Sequence, residues 1–360
     1  MKTYDIPLVP GPTICPPEVL AAYQVNYGSG DLEMDFIGLY AEVEMQLRHI
    51  LATKNKIAIQ TGEGMLALWG ALKSCLRPGD KVLAIATGPF GFGIGAMARA
   101  CGAEVRTVGF EYDEVADPML VEKAIVEFGP KMVTAVHCET PCGTLNPIGA
   151  IGALVAKYEV PLYYVDAVAS AGGANLEVDG WHIDLCLVGS QKVFSMPPDL
   201  AMVAVSEKAW TIIDEVDYQG YDALKPWRTA LKDRYFPYTP SWHSLAALNV
   251  ACRLILAEGR LTTIWRHQEV AHYCRQRLAD MGLELFPKSA AACAPTVTAV
   301  KVPEHLGWEE LDRRLRARGM VVGGSWEKLA GKVFRIGHMG HQARRELVER
   351  GMDVLQAVIR

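Results

Sequence analysis

Three short segments of this 360-residue chain carry side chains able to do chemistry together. The first is Thr61-Gly62-Glu63-Gly64-Met65, a glycine-bearing turn between an apolar run and a helical pattern. Such a turn offers backbone N–H groups and the positive end of a helix to an anion such as phosphate, although many strand-to-helix turns use glycine for geometry alone. The second is Asp166, closing the run Leu162-Tyr163-Tyr164-Val165, and the third is Gly189-Ser190-Gln191-Lys192, closing Leu185-Cys186-Leu187-Val188. An aspartate and a lysine at neighbouring strand ends can grip opposite edges of a pyridine ring. The carboxylate keeps the ring nitrogen protonated while the amine forms a Schiff base with an aldehyde. Taken singly, Asp166 reads as a turn cap and Lys192 as a surface lysine; the pair, with the glycine turn, favours the chemistry.

These residues need a sheet to bring them together. Short apolar runs alternate with longer helical patterns, which predicts a wound α/β fold around a parallel sheet of some seven strands. The expected strands are residues 56–60, 82–86, 105–110, 132–136, 162–165, 184–188 and 201–205. Helices are expected over 65–76 and 119–128, the latter opened by Asp117-Pro118, an acidic cap followed by a proline suited to the first turn. The glycine-rich run Val82–Ala98 reads as a buried strand followed by a loop. After Tyr235 the pattern changes to a long helical stretch over 245–278, broken near Gly259. A smaller α+β unit follows, with strands at 296–302 and 332–336 and helices at 308–318 and 343–359. In a parallel sheet, ligands sit outside the carboxyl ends of the strands, where the three segments fall.

Composition narrows the partners. With 36 Lys+Arg against 41 Asp+Glu the net charge is −5, so there is no cationic excess for a nucleic-acid backbone. Half the residues are apolar and 21% are charged, the balance of a globular protein rather than a disordered one. Nine irregularly spaced cysteines fit reduced thiols in the cytoplasm better than a disulfide framework. Met1-Lys2-Thr3-Tyr4-Asp5 shows no signal core behind it, and Val82–Ala98 falls short of a membrane span.

Gly189-Ser190-Gln191-Lys192 followed by Pro197-Pro198, Val165-Asp166-Ala167-Val168-Ala169-Ser170-Ala171-Gly172-Gly173, and Pro10-Gly11-Pro12-Thr13 resemble the class V aminotransferases of fold type I. This is the group of alanine:glyoxylate and serine:pyruvate enzymes that use pyridoxal 5′-phosphate (PLP). The likeness covers nearly the whole chain, with the motifs in the family's order. It implies a PLP-transferase fold of type I, with a large domain over 15–255 and a small domain built from 1–14 and 256–360. By this resemblance Lys192 is the imine-forming lysine and Asp166 the partner of the pyridine nitrogen. Glu63, Gly64 and Met65 form the turn that meets the phosphate, and Gln191 is a further phosphate ligand. Phe90, in Gly88-Pro89-Phe90-Gly91, stacks on the ring with a π-face but no polar handle. Thr140 places a hydroxyl beside the ring. Thr239 reaches the phosphate of a neighbouring subunit, which implies a homodimer with shared active sites. Arg335, in Phe334-Arg335-Ile336-Gly337-His338-Met339-Gly340, holds the substrate α-carboxylate, with Gly11 and Glu63 also expected at the substrate.

The implied activity is a ping-pong transfer of an amino group from a donor such as alanine or serine to pyruvate or glyoxylate. A narrower likeness, to the pyridoxamine:pyruvate branch, runs through Glu63, the segment Thr140-Pro141-Cys142-Gly143-Thr144-Leu145-Asn146-Pro147, Phe236-Pro237-Tyr238-Thr239-Pro240-Ser241 and Arg335-Ile336-Gly337-His338-Met339-Gly340. Trp326 departs from that pattern, which has a second arginine nine residues before Arg335.

Other readings carry less. Gly93-Ile94-Gly95-Ala96-Met97-Ala98, with Glu111 as a ribose ligand, imitates the dinucleotide fingerprint of an NAD-dependent oxidoreductase, but six residues, Pro89 among them, separate its first glycine from the strand. His267 and His272 are five apart on a helix and so face different ways, and Cys138 and Cys142 have no second pair, so no metal is expected. A cysteine desulfurase needs a mobile loop cysteine, whereas Cys274 falls in a helical pattern and Cys293 in an alanine-rich stretch. A protein that only binds the cofactor would lack Lys192, Asp166 or Arg335.

Overall fold

The computed structural model describes residues 3–359; Met1, Lys2 and Arg360, at the ends of the ranges above, lie outside them. Thirteen strands are found among the described residues: β1 (Ile6–Leu8), β2 (Lys56–Thr61), β3 (Lys81–Ala86), β4 (Glu104–Gly109), β5 (Met132–Val136), β6 (Cys138–Glu139), β7 (Thr144–Leu145), β8 (Leu162–Asp166), β9 (Leu185–Gly189), β10 (Leu200–Val205), β11 (Val297–Lys301), β12 (Met320–Gly324) and β13 (Val333–Gly337). Seven form one sheet in the order β2-β10-β9-β8-β5-β3-β4. Its pairings are parallel except that β10 runs antiparallel to both β2 and β9, so the expected mostly parallel sheet is present. Strands β5, β8 and β9 are buried along their whole length, because helices cover both faces. Such strands read as continuous apolar runs, each buried Val or Leu contributing about 1.5–3 kcal/mol. Polar chemistry is therefore confined to their carboxyl ends.

The run after β3 corrects the expectation of a loop: Pro89–Ala100 is a helix with Pro89 in its first turn. Its glycines suggested irregular backbone, yet they serve packing. A Cβ on Gly91 would lie 2.7 Å from Ala86 Cα, so only glycine lets the helix approach β3 this closely. The supposed dinucleotide fingerprint lies inside this helix rather than at a turn. Asp117 caps the helix Pro118–Phe128 as expected, its side chain accepting the Met119 N–H at 2.9 Å.

A second sheet, ordered β1-β12-β13-β11, lies in the carboxyl-terminal part. Its core joins Ile6 and Leu8 to Phe334, Ile336, Leu311 and Val348, so the amino-terminal strand packs with the end of the chain. The helix Trp242–Glu258 contributes to the core of the large sheet and the next helix, Arg260–Asp280, to that of the small one. Arg335 is on β13, between Ala299 of β11 and Gly323 of β12. No helix among the described residues is long and apolar enough to cross a membrane.

Candidate active site

Five strands of the large sheet deliver side chains to one cavity. Glu63, Gly64 and Met65 follow β2, Phe90 follows β3, Cys138 and Thr140 follow β5, Asp166 ends β8, and Gln191 and Lys192 follow β9; with Leu68, Val168 and Ala169 they line a single pocket. Eight of the sequence-predicted site residues thus come together.

Lys192 is half-buried and lines the cavity, against the reading of a surface lysine. Its Nζ donates to the Pro10 carbonyl at 2.6 Å, and among the described residues it forms no ion pair. Burial, reinforced by the nearby Arg335 charge, pulls its amine down to about 8. The strap from β1 fixes this lysine: Thr13 Oγ1 donates to the Lys192 carbonyl at 2.8 Å. Gly11, at φ +96°, approaches so closely that a Cβ there would lie 2.5 Å from Lys192 Cδ. A positive φ and this contact both require glycine.

Asp166 is buried at the carboxyl end of β8. One oxygen accepts the Val168 N–H at 2.9 Å, so the residue does cap its turn, but it also faces the cavity. Burial raises its carboxyl to about 6, against the opposing pull of that N–H and of Lys192. A cationic ring N–H is the partner such a carboxylate lacks.

The glycine turn opens the helix Gly64–Cys75, with Glu63 as its N-cap. Glu63 Oε2 accepts the Met65 N–H at 2.8 Å, and Gln191 Nε2 donates to Glu63 Oε1. The protein's own carboxylate therefore occupies the anion-binding helix end.

Arg335 does not line the cavity but stands next to it. It is 6% exposed and forms no ion pair among the described residues, against the reading of a strand arginine as a surface salt-bridge partner. Its Nε and Nη2 donate to the Gly324 carbonyl at 2.9 and 2.5 Å. Trp326 lies over its guanidinium at 4.5 Å and meets Phe90 edge-on, with ring centroids 6.0 Å apart. Burial lowers Arg335 to about 10, so it stays charged at neutral pH. Thr239 is apart from this cavity: it is exposed and its Oγ1 donates to Asp31 Oδ2 at 3.3 Å.

One residue escaped the sequence reading. Glu139 on β6 is fully buried, and its carboxylate accepts the N–H groups of Phe90 at 2.8 Å and Gly91 at 3.1 Å. It caps the helix Pro89–Ala100 from another element and so holds the backbone of Phe90. Burial raises this carboxyl to about 8, although the two N–H groups oppose the shift. A lone acid three residues after a buried strand was the available signal.

A family model for class V aminotransferases matches residues 8–325. The chain belongs to that family. An uncharacterised aminotransferase of Methanocaldococcus jannaschii is 38% identical, the match covering 95% of this chain and 89% of that one. The pyridoxamine–pyruvate transaminase of Mesorhizobium japonicum is 34% identical over 94% of this chain and 87% of its own length. The crystal structure of an alanine–glyoxylate aminotransferase from Nostoc sp. superposes with a TM-score of 0.95 at 30% identity, covering 100% of this chain and 96% of that one. Class V aminotransferases depend on PLP, and the cavity suits it: an amine lowered to about 8 shares the cavity with a buried carboxylate in need of a cation. The NAD-dependent alternative falls with this membership.

Proposed function

We propose that this aminotransferase moves an amino group from a small donor, alanine or serine, to pyruvate or glyoxylate in two half-reactions. The observation that carries this reading is the pairing of two cations that form no ion pair among the described residues, Lys192 in the cavity and the buried Arg335 beside it. Lys192 and Asp166 would hold PLP at its aldehyde and its ring nitrogen, Phe90 and Thr140 at the ring, and Gly64, Met65 and Gln191 at the phosphate. When bound, PLP supplies an aldehyde that takes up the donor nitrogen and a ring that accepts an electron pair. Lys192 Nζ, with its lowered affinity for a proton, takes the α-proton of the donor and returns it. Asp166 holds a proton on the ring nitrogen, which burial and the shared charge favour. Arg335 binds the α-carboxylate of donor and acceptor through its planar fork, in a setting where charge-assisted bonds are strong. Thr239, exposed in one protomer, reaches the phosphate site of a second copy, so the working unit is a homodimer in the cytoplasm. Each protomer divides into the large domain over 15–255 and the small domain from 1–14 and 256–360. The test is borohydride reduction of the PLP-loaded protein with peptide mapping, alongside donor and acceptor assays. Labelling at Lys192 and transfer from alanine or serine to pyruvate or glyoxylate are expected; a label on another lysine overturns the assignment.

A second reading, pyridoxamine with pyruvate, is favoured by Glu63. Its carboxylate already caps the helix end that a phosphate would use, and two anions at one helix end oppose each other. An unphosphorylated pyridoxamine, with its hydroxymethyl group, avoids that conflict. Under this reading native protein transfers the amine of pyridoxamine to pyruvate, and Glu63→Ser shifts preference towards retained PLP and an amino-acid donor. Protein that keeps PLP through dialysis and ignores pyridoxamine excludes it.

A further inference from the structure

Trp326 stands between Phe90 of the cavity and the guanidinium of the second sheet, and 38% of it remains exposed. It comes from the segment between β12 and β13, while Phe90 comes from the helix after β3 and Arg335 from β13 itself. The indole covers one face of Arg335 at 4.5 Å and stands at 90° to Phe90. In the plane of the guanidinium, Nε and Nη2 are engaged by the Gly324 carbonyl, so the donors left for a ligand suit one carboxylate. Charges nearby do not invite a second anion. Glu139 is buried behind Phe90, and Glu327, the neighbour of Trp326, accepts a hydrogen bond from Tyr112 at 3.1 Å. Lys328, two residues on from Trp326, is drawn over the Tyr112 ring at 3.5 Å.

We propose that Trp326 determines the acceptor class: with Phe90 it sets an uncharged aromatic wall beside Arg335, so the enzyme takes 2-oxo acids with a single carboxylate and rejects those with two. The physical basis is that a second carboxylate would lose water against aromatic rings, whose faces are negative, without the ion pair that would offset the loss. Trp326 also serves the first carboxylate, since a stacked indole holds the guanidinium in one orientation.

This inference rests on the proposed role of Arg335, and the experiment separates the two. Pyruvate and glyoxylate are compared with 2-oxoglutarate and oxaloacetate as acceptors for the PLP-loaded native enzyme, Trp326→Phe, Trp326→Arg and Arg335→Ala. Native enzyme and Trp326→Phe should favour the monocarboxylates by about 100-fold or more in kcat/KM, and Trp326→Arg should gain about 10-fold or more on the dicarboxylates. Pyruvate titrated into the protein should also quench tryptophan fluorescence in the native chain and not in Trp326→Phe. Equal use of 2-oxoglutarate and pyruvate by native enzyme, no gain in Trp326→Arg, or a quench that persists in Trp326→Phe overturns the proposal. If Arg335→Ala leaves KM for pyruvate unchanged, the carboxylate site itself is elsewhere. If that variant raises KM while Trp326→Arg gains nothing, only the role of Trp326 fails.

Discussion

Lys192 and Arg335 belong to different sheets, both are withdrawn from solvent and neither forms an ion pair among the described residues, yet the consequences for their charge differ. The amine at the end of β9 is brought to about 8, within reach of losing its proton at physiological pH. The guanidinium on β13 is lowered only to about 10 and keeps its charge throughout. Burial lowers the two by a similar amount, so the difference lies in where they start: a lysine ordinarily holds its proton to 10.5 and a guanidinium to 12.5, which leaves only the lysine close to neutrality. The large sheet thus supplies a group that can gain and lose protons near neutral pH, and the small sheet a cation that stays charged there, as the proposed anion receptor requires.

Replacing each cation gives the sharpest test of this division. Lys192→Ala should reduce transfer to background, whereas Arg335→Lys should raise KM for the oxo acid about 10- to 100-fold with kcat less affected, the loss of one charged, forked contact. If Arg335→Lys lowers kcat and leaves KM unchanged, the two cations do not divide the work. Asp166→Ala should lower kcat by about 10²- to 10⁴-fold while PLP still binds; steady-state rates beside PLP absorbance titrations would check this, and near-normal turnover would mean the ring is held otherwise.

Smaller effects follow from proton linkage. Uptake of PLP by cofactor-free protein needs the neutral amine, so its rate should rise about tenfold per pH unit up to about 8 and then level. Because the Arg335 charge contributes to the depression, Arg335→Ala should move that inflection upward in stopped-flow absorbance; an unmoved inflection would mean that the two cations do not sense each other. The folded amine binds its proton less tightly than the unfolded one, whose value is 10.5. Stability from this group is therefore fully present above about 10.5, falls as pH drops towards 8, and is missing at pH 7. Lys192→Met should accordingly raise the Tm of cofactor-free protein at pH 7 by a few degrees, with the gain shrinking as pH approaches 10.

The large sheet was legible because its strands are buried on both faces and stand out as uninterrupted apolar runs bounded by turns. Asp166 and Lys192 were legible as the polar residues that end two of those runs. The helix Pro89–Ala100 was not, since Gly91, Gly93 and Gly95 lower helix propensity and only the close approach to β3 explains them. Strands β1 and β12 escaped because three and five residues carry little periodicity and their pairing is distant in sequence. The position of Trp326 was noted as a departure, but its contacts with Phe90 and Arg335 exist only once two sheets are brought together.

The pairing of Ile6, Pro7 and Leu8 with Met320, Val321 and Val322 has a consequence for biosynthesis. The first strand leaves the ribosome long before its partner is made; at about 5–20 residues per second it waits roughly 15–60 s for the intervening 300 or so residues. Until then Ile6 and Leu8 have no sheet to join, and the Pro10 carbonyl that receives Lys192 has no anchor on its amino-terminal side. A strand made late therefore secures one made early, and Lys192 acquires its final surroundings only once β12 has been translated.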